Sequence, residues 1–176
     1  FSQAVRTCFA KYASFRGRAS RSEYWYFVLF LFLGTLALGL IDRLVFGTTL
    51  VETVPGYARV EANGFMGSAF SLATLIPLIS SGWRRMHDSG RSGLYLFYPV
   101  IVMIGIVSFM AFMVGLEPVM AGDYAKIVTG ASGVVMMIAA FVLLISPLLV
   151  LWWLARPSDP GPNAYGPPPA QEAPTT

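Results

Sequence analysis

Charge is scarce in this chain. Only 12% of its 176 residues are Asp, Glu, Lys or Arg, where about a quarter is usual for a soluble domain. At the same time 56% are hydrophobic and the mean hydropathy is +0.64. A chain this short cannot bury so much apolar surface inside itself, which sets the water-soluble classes aside. Cysteine and histidine are scarcer still. The lone Cys8 excludes an internal disulfide and a cysteine-held metal cluster, and the lone His87 cannot assemble a multi-histidine site. Neither a metal nor a cofactor is expected, and nucleic acid is not an expected partner. Cys8 has two readings, a palmitoylation point or a small apolar residue on a helix face, and the second is the stronger. Strands of about ten residues with alternating polarity are missing, which argues against a membrane β-barrel. The first 23 residues hold no uninterrupted apolar core, so no cleaved signal peptide is expected, and the sequence begins at Phe1 rather than Met.

What is present is four long apolar stretches free of Asp, Glu, Lys and Arg, at about 24–41, 65–83, 94–116 and 128–154. Each is long enough to cross roughly 30 Å of hydrocarbon at about 1.5 Å per residue, and backbone in lipid must satisfy its own hydrogen bonds, so each is expected to be a helix. The predicted fold is an all-α integral membrane protein: one transmembrane domain over 1–155, a four-helix bundle, preceded by an interfacial helix and followed by a Pro-rich tail over 156–176. Nine of the twelve Lys and Arg residues lie before the first stretch, between the second and third, or after the fourth. The positive-inside rule places those segments, and both termini, in the cytoplasm. Aromatic residues at the same ends, Tyr24, Trp25, Trp83, Tyr95, Trp152 and Trp153, suit the headgroup layer.

Phe1, Val5, Cys8, Phe9, Tyr12 and Phe15 recur at helical spacing, which predicts an amphipathic helix over 1–15 lying on the bilayer. Ser20 or Ser22 is placed to cap the first spanning helix, and Glu23 suits its positive end. The outward segment 42–64 reads as a hairpin or irregular lid, and the second outward loop, 117–127, is shorter. Pro77, Pro99 and Pro147 each remove a backbone donor and are candidate kinks. No span carries an ionisable group at mid-depth, which counts against ion-coupled transport. Seven of the twelve prolines fall after Arg156. This composition predicts an extended, partly polyproline tail that forms no packed core, with a turn at 163–166.

The densest group of chemically capable side chains is Trp83-Arg84-Arg85-Met86-His87-Asp88-Ser89-Gly90-Arg91-Ser92-Gly93, read as the loop between the second and third spans. Arg84, Arg85 and Arg91 have the chemistry to converge with backbone N–H groups on an anion such as a lipid phosphate. In the other reading Asp88 pairs with one of them, or with an arginine of the N-terminal segment, and locks the loop to the first helix. An aspartate inside an arginine cluster ordinarily balances charge, which favours the second reading.

Three motifs taken together, F-x-G-R-A-S-R-S-E-Y-W before the first span, R-R-M-H-D-S-G-R-S-G after the second and G-P-N-A-Y-G-P-P-P in the tail, resemble the bacterial inner-membrane family named domain of unknown function 805. The resemblance spans Phe15 to Pro169, although the family's usual ending has a basic residue where this chain has Ala164. It implies a small multi-span bacterial inner-membrane protein and brings no activity with it. It also implies that Arg18, Arg21, Glu23, Arg84, Arg85, His87, Asp88, Arg91 and Gly93, together with the neighbouring Arg16, act as one cytoplasmic structure. The leading expectation is a non-catalytic module, an accessory or assembly subunit whose basic face engages anionic lipid or a membrane-protein partner, or a second copy of itself. The alternatives are a small channel or permease for a polar or anionic solute and, third, a lipid-headgroup enzyme with His87 as general base.

Overall fold

The computed structural model describes residues 1–54, 57–123, 125 and 130–169. The protein is mostly helical, in the order α1 (Ser2–Ala10), α2 (Arg21–Phe46), β1 (Thr48–Val54), β2 (Tyr57–Ala62), α3 (Met66–Asp88), a 3-10 turn (Gly93–Phe97) leading into α4 (Tyr98–Val114), a short α5 (Leu116–Ala121), and α6, Gly130–Ala155. The all-α expectation therefore needs one amendment. Residues 48–62 form an antiparallel hairpin, pairing Thr48 with Ala62 and Leu50 with Val60, because their β-branched residues favour extended backbone. Pro55 and Gly56 lie outside the described residues, as do 124, 126–129 and 170–176.

Helix boundaries follow backbone chemistry rather than the ends of the apolar runs. Ser20 caps α2, its hydroxyl accepting from Glu23 N at 3.1 Å, a Ser-x-x-Glu start that satisfies an otherwise orphaned donor. At the far end Gly47 takes a positive φ of 73° and stops the helix. The second helix does not end at Trp83. It runs on to Asp88, because nothing in Arg84-Arg85-Met86-His87-Asp88 opposes a helix until Ser89 and Gly90, and Gly90 adopts φ 73°. The third ends earlier than its apolar run, at Gly115 with φ 96°, so Leu116 opens α5 instead. The N-terminal helix stops at Ala10, and residues 11–20 form a strap that leads back to α2.

The prolines act differently from one another. Pro99 sits in the first turn of α4, where its missing N–H would have had no partner, and it introduces no kink. Pro77 lies inside α3 and leaves the carbonyl of Ala73 without its helical donor, and the Tyr12 hydroxyl of the strap donates to that oxygen. Pro147 frees Leu143 O in α6 in the same way, and the Ser146 hydroxyl donates to it at 3.0 Å.

Helix α2 packs along α3, α4 packs along α6, and α1 folds back on α2, with Phe9 set edge-on against Phe27 and Phe30. The core lies towards the end where the strap, α3 and α6 meet. Tyr24, Met86, Val150 and Leu154 form it, flanked by Val28, Leu78, Leu96, Tyr98 and Trp153. At the opposite end Asp42 is 3% exposed, and its two carboxylate oxygens accept from Met66 N and Gly67 N, capping α3 from the neighbouring helix. Gly64 is required beside it, since a Cβ there would sit 2.1 Å from Asp42 Oδ1. Three helical segments, Arg21–Phe46, Gly93–Val114 and Ser132–Ala155, are long and apolar enough to cross a membrane.

Candidate functional site

The last turn of α3 passes beyond Trp83 and out of its apolar part. Successive residues there point about 100° apart, so its charged side chains reach different neighbours. Arg84 turns towards α2 and donates from Nη1 to Glu23 Oε1 at 2.6 Å. Arg85 turns towards α6, donating from Nε to Leu154 O at 2.9 Å and from Nη2 to Arg156 O. These carbonyls belong to the end of α6, where a helix has acceptors without partners and favours a cation. Asp88, one turn after Arg85, accepts from Arg85 Nη1, from Arg18 Nε at 2.9 Å and from the Ser158 hydroxyl. Arg84, Arg85 and Asp88 are all 0% exposed.

The strap and the tail close over this turn from opposite sides. Gly17 adopts φ 82° and presents its carbonyl to His87 Nδ1 at 3.1 Å, so His87 carries its proton on Nδ1. Two residues on, Ala19 N donates to Arg84 O at 3.0 Å. Arg18 then points inward and bridges strap, helix and tail: Nη1 donates to Gly161 O at 2.7 Å and Nη2 to Asp159 O at 2.6 Å, in addition to the bond to Asp88. The tail satisfies the last carbonyls of α3, with Asp159 N on Asp88 O and Asn163 Nδ2 on His87 O, each at 2.9 Å. Asn163 and Gly166 exchange backbone hydrogen bonds across the expected turn. That turn presents Tyr165, which stacks on the His87 ring with centroids 3.8 Å apart and planes 6° from parallel.

Residues 156–166 alternate between exposed and half-buried, and hydrogen bonds tie them to the end of α3. Proline-rich backbone forms no sheet or helix, yet its carbonyls remain free, and the buried guanidiniums of Arg18 and Arg85 need acceptors. A pattern of hydrophobic residues does not report that kind of packing.

Of the residues predicted to act together, Arg18, Glu23, Arg84, Arg85, His87 and Asp88 converge. Gly93 belongs to the same structure for a steric reason: Trp83 lies on it so closely that a Cβ would fall 2.0 Å from Trp83 Cδ2. Arg91 stands at the edge, its Nη1 donating to Ser89 O at 2.9 Å and its guanidinium over Trp153. Arg16 and Arg21 are exposed and outside the hydrogen-bonded cluster, although the charge of Arg21 acts on Arg85. Cys8, Ser158, Asp159, Asn163 and Tyr165 belong to the site and were not marked as such. Only the G-P-N-A-Y-G motif pointed to the last two.

Burial shapes the chemistry. It lowers His87 below its ordinary value, against a smaller upward effect of the bond to Gly17 O, so the ring is neutral. Burial also pulls Arg85 downward while Asp88 opposes it. Cys8 is fully buried beside Glu23, and burial first, then that carboxylate, push its thiol up to about 11. It is therefore an unreactive, protonated thiol at neutral pH. Arg84 keeps two N–H groups, Nε and Nη2, without a hydrogen-bond partner among the described residues. Among the same residues no group of three or more His, Cys, Asp or Glu side chains is placed to hold a metal.

Residues 12–122 match the family model described as protein of unknown function DUF805. The chain is similar to the inner membrane protein YhaH of Escherichia coli strain K12, 31% identical over 101 residues that cover 57% of this chain and 75% of that protein. The YhaH of Escherichia coli O157:H7 matches to the same extent. Inner membrane protein YhaI of strain K12 is 29% identical over 101 residues, 57% of this chain and 74% of that one. No solved structure matches.

Proposed function

This chain belongs to the DUF805 family, a membership that brings no activity with it, and we propose that it is a non-catalytic inner-membrane module, an accessory or assembly subunit of a larger membrane complex. In this reading α3 is a fourth span over its apolar part, 66–83, and both termini lie in the cytoplasm. The observation that carries it is the closure of the one dense polar cluster on itself. Asp88 and the guanidiniums of Arg18 and Arg85 are held by partners within the chain, and the His87 ring, the only candidate general base among them, is covered by Tyr165. Such a cluster braces a scaffold. Convergence of strap, α3 end and tail at one end of the molecule supports placing them on one side of the bilayer, and the excess of basic residues there supports the cytoplasmic side.

With Arg18, Arg84 and Arg85 turned inward, the cations left at least partly exposed at this end, among the described residues, are Arg6, Lys11, Arg16, Arg21, Arg91 and Arg156. These form the surface that meets anionic headgroups or an acidic partner. Extraction of the native protein in a mild detergent, followed by mass spectrometry of co-purifying proteins, tests the reading. A stoichiometric membrane-protein partner, weakened by Arg16→Gln with Arg21→Gln, is expected. Recovery of the chain without any partner across several detergents refutes the subunit assignment.

A further inference from the structure

Next to the closed cluster lies an open cleft of about 380 Å³. Ser89, Gly90 and Arg91 line one side and Arg156, Ser158 and Asp159 the other. Arg91 and Arg156 stand near enough to feel one another's charge, and among the described residues neither is ion-paired with a carboxylate. Each guanidinium rests on an indole: Arg91 lies 5.5 Å from the Trp153 ring centroid and Arg156 lies 5.2 Å from that of Trp152. A guanidinium over an aromatic face is attracted by the ring and keeps N–H donors for a ligand, in Arg91 those besides the one that Nη1 gives to Ser89 O. Asp159 is the one acid in the cleft; its Oδ2 accepts from Asn163 Nδ2 at 3.2 Å, and its charge also acts on Arg91. Two cations against one carboxylate leave the cleft net positive.

We infer that Arg91 and Arg156 form a binding site for a phosphate group, specifically that of an anionic phospholipid headgroup. The ligand class follows from position and geometry. Trp152 and Trp153 close the last apolar helix, which is the depth at which indoles meet headgroups, so the cleft opens where lipid phosphates lie. Two preoriented guanidiniums match a phosphate's several acceptor oxygens better than they match a zwitterionic surface. The inference rests on the reading of this end as lipid-facing, and it adds the residues that do the binding. It does not depend on a protein partner.

The test is native mass spectrometry of the full chain titrated with phosphatidylglycerol or phosphatidylcholine in the same detergent. Expected is one phosphatidylglycerol retained in preference to phosphatidylcholine, with occupancy falling about tenfold or more in the Arg91→Gln, Arg156→Gln variant. The same fall should be absent in Arg43→Gln, an exposed arginine at the opposite end of α2. Displacement by millimolar inorganic phosphate would make the phosphate group alone the ligand, and resistance to it would make the lipid as a whole the ligand. Equal retention of both lipids by the wild type, or unchanged retention by the double variant, overturns the site. Only the main-chain oxygen of Arg156 takes part in the closed cluster. Arg156→Gln therefore preserves the fold and must lower occupancy on its own if the double variant proves unstable. A co-purifying protein retained while lipid binding fails would overturn this site and leave the subunit reading standing.

Discussion

Neutralising Asp88 should loosen the N-terminal strap. Its carboxylate is fully buried and is the shared counter-charge of Arg18 and Arg85, which are themselves buried. Asp88→Asn keeps the shape, removes the charge and leaves two guanidiniums facing each other without compensation. Breaking a buried pair from one side costs about 3–5 kcal/mol, because the remaining charge stays desolvated. The cost falls on the assembly that Arg18 ties together, namely strap, α3 end and tail, rather than on the helices in the bilayer. Cys8 reports on that assembly. It is the only cysteine, it is fully buried, and its thiol is pushed up to about 11 while the strap is closed, so maleimide reacts with it when the strap opens. At about 1.4 kcal/mol per tenfold, labelling of Asp88→Asn should accelerate between about a hundredfold and a few thousandfold. A rate within threefold of wild type would show that the carboxylate does not hold the strap, and the account of the cluster would fail.

Gly93→Ala places a methyl group inside the Trp83 indole, and overpacking of this sort costs about 1–3 kcal/mol or more; an unchanged thermal midpoint in detergent would contradict that contact. His87 is held below its ordinary value of 6.5 by burial, so the opened state binds more protons than the closed one. Tail docking should be fully stable above about pH 6.5 and weaken as pH falls below it towards the folded value. Protease sensitivity of the tail should therefore rise on acidification, and a His87→Gln variant that retains the same pH dependence would assign it elsewhere. At the other end, Asp42→Asn puts an amide donor against the N–H groups of Met66 or Gly67, which should cost about 1–3 kcal/mol; a midpoint equal to wild type would mean that Asp42 does not cap α3.

Much of this architecture is written in composition, and its failures have one cause. Hydrocarbon imposes a length and a polarity on each span, so the apolar runs mark where helices lie. They do not mark where helices stop. The apolar run of α3 ends at Trp83, whereas the helix ends five residues later at the first residues that disfavour it, Ser89 and Gly90. Gly115 reverses the relation, breaking α4 while the chain is still apolar. In the sequence Asp42 marks the start of an outward loop, because a carboxylate is out of place in a span. It lies inside α2 because the start of α3 offers it two N–H groups.

The site was partly legible for a related reason. Arginines crowded around one aspartate announce pairing, and the motifs name most of the residues that meet. Which side chain meets which depends on contacts that close loops of about seventy to a hundred and forty residues, as between Arg18 and Asp88 or Arg18 and Gly161, and no local pattern encodes them. The tail shows this most clearly. Its prolines argue against helix and sheet, since they remove donors, but the buried guanidiniums of Arg18 and Arg85 require acceptors, which a proline-rich backbone still supplies. Asp159 O, Gly161 O and Arg156 O meet that requirement. A chain that seals its most reactive-looking cluster with its own C-terminal segment has shaped that cluster for registry between strap, helix and tail. Its chemistry with other molecules is then left to the outward-facing cations, among which Arg91 and Arg156 are the pair that share a cleft.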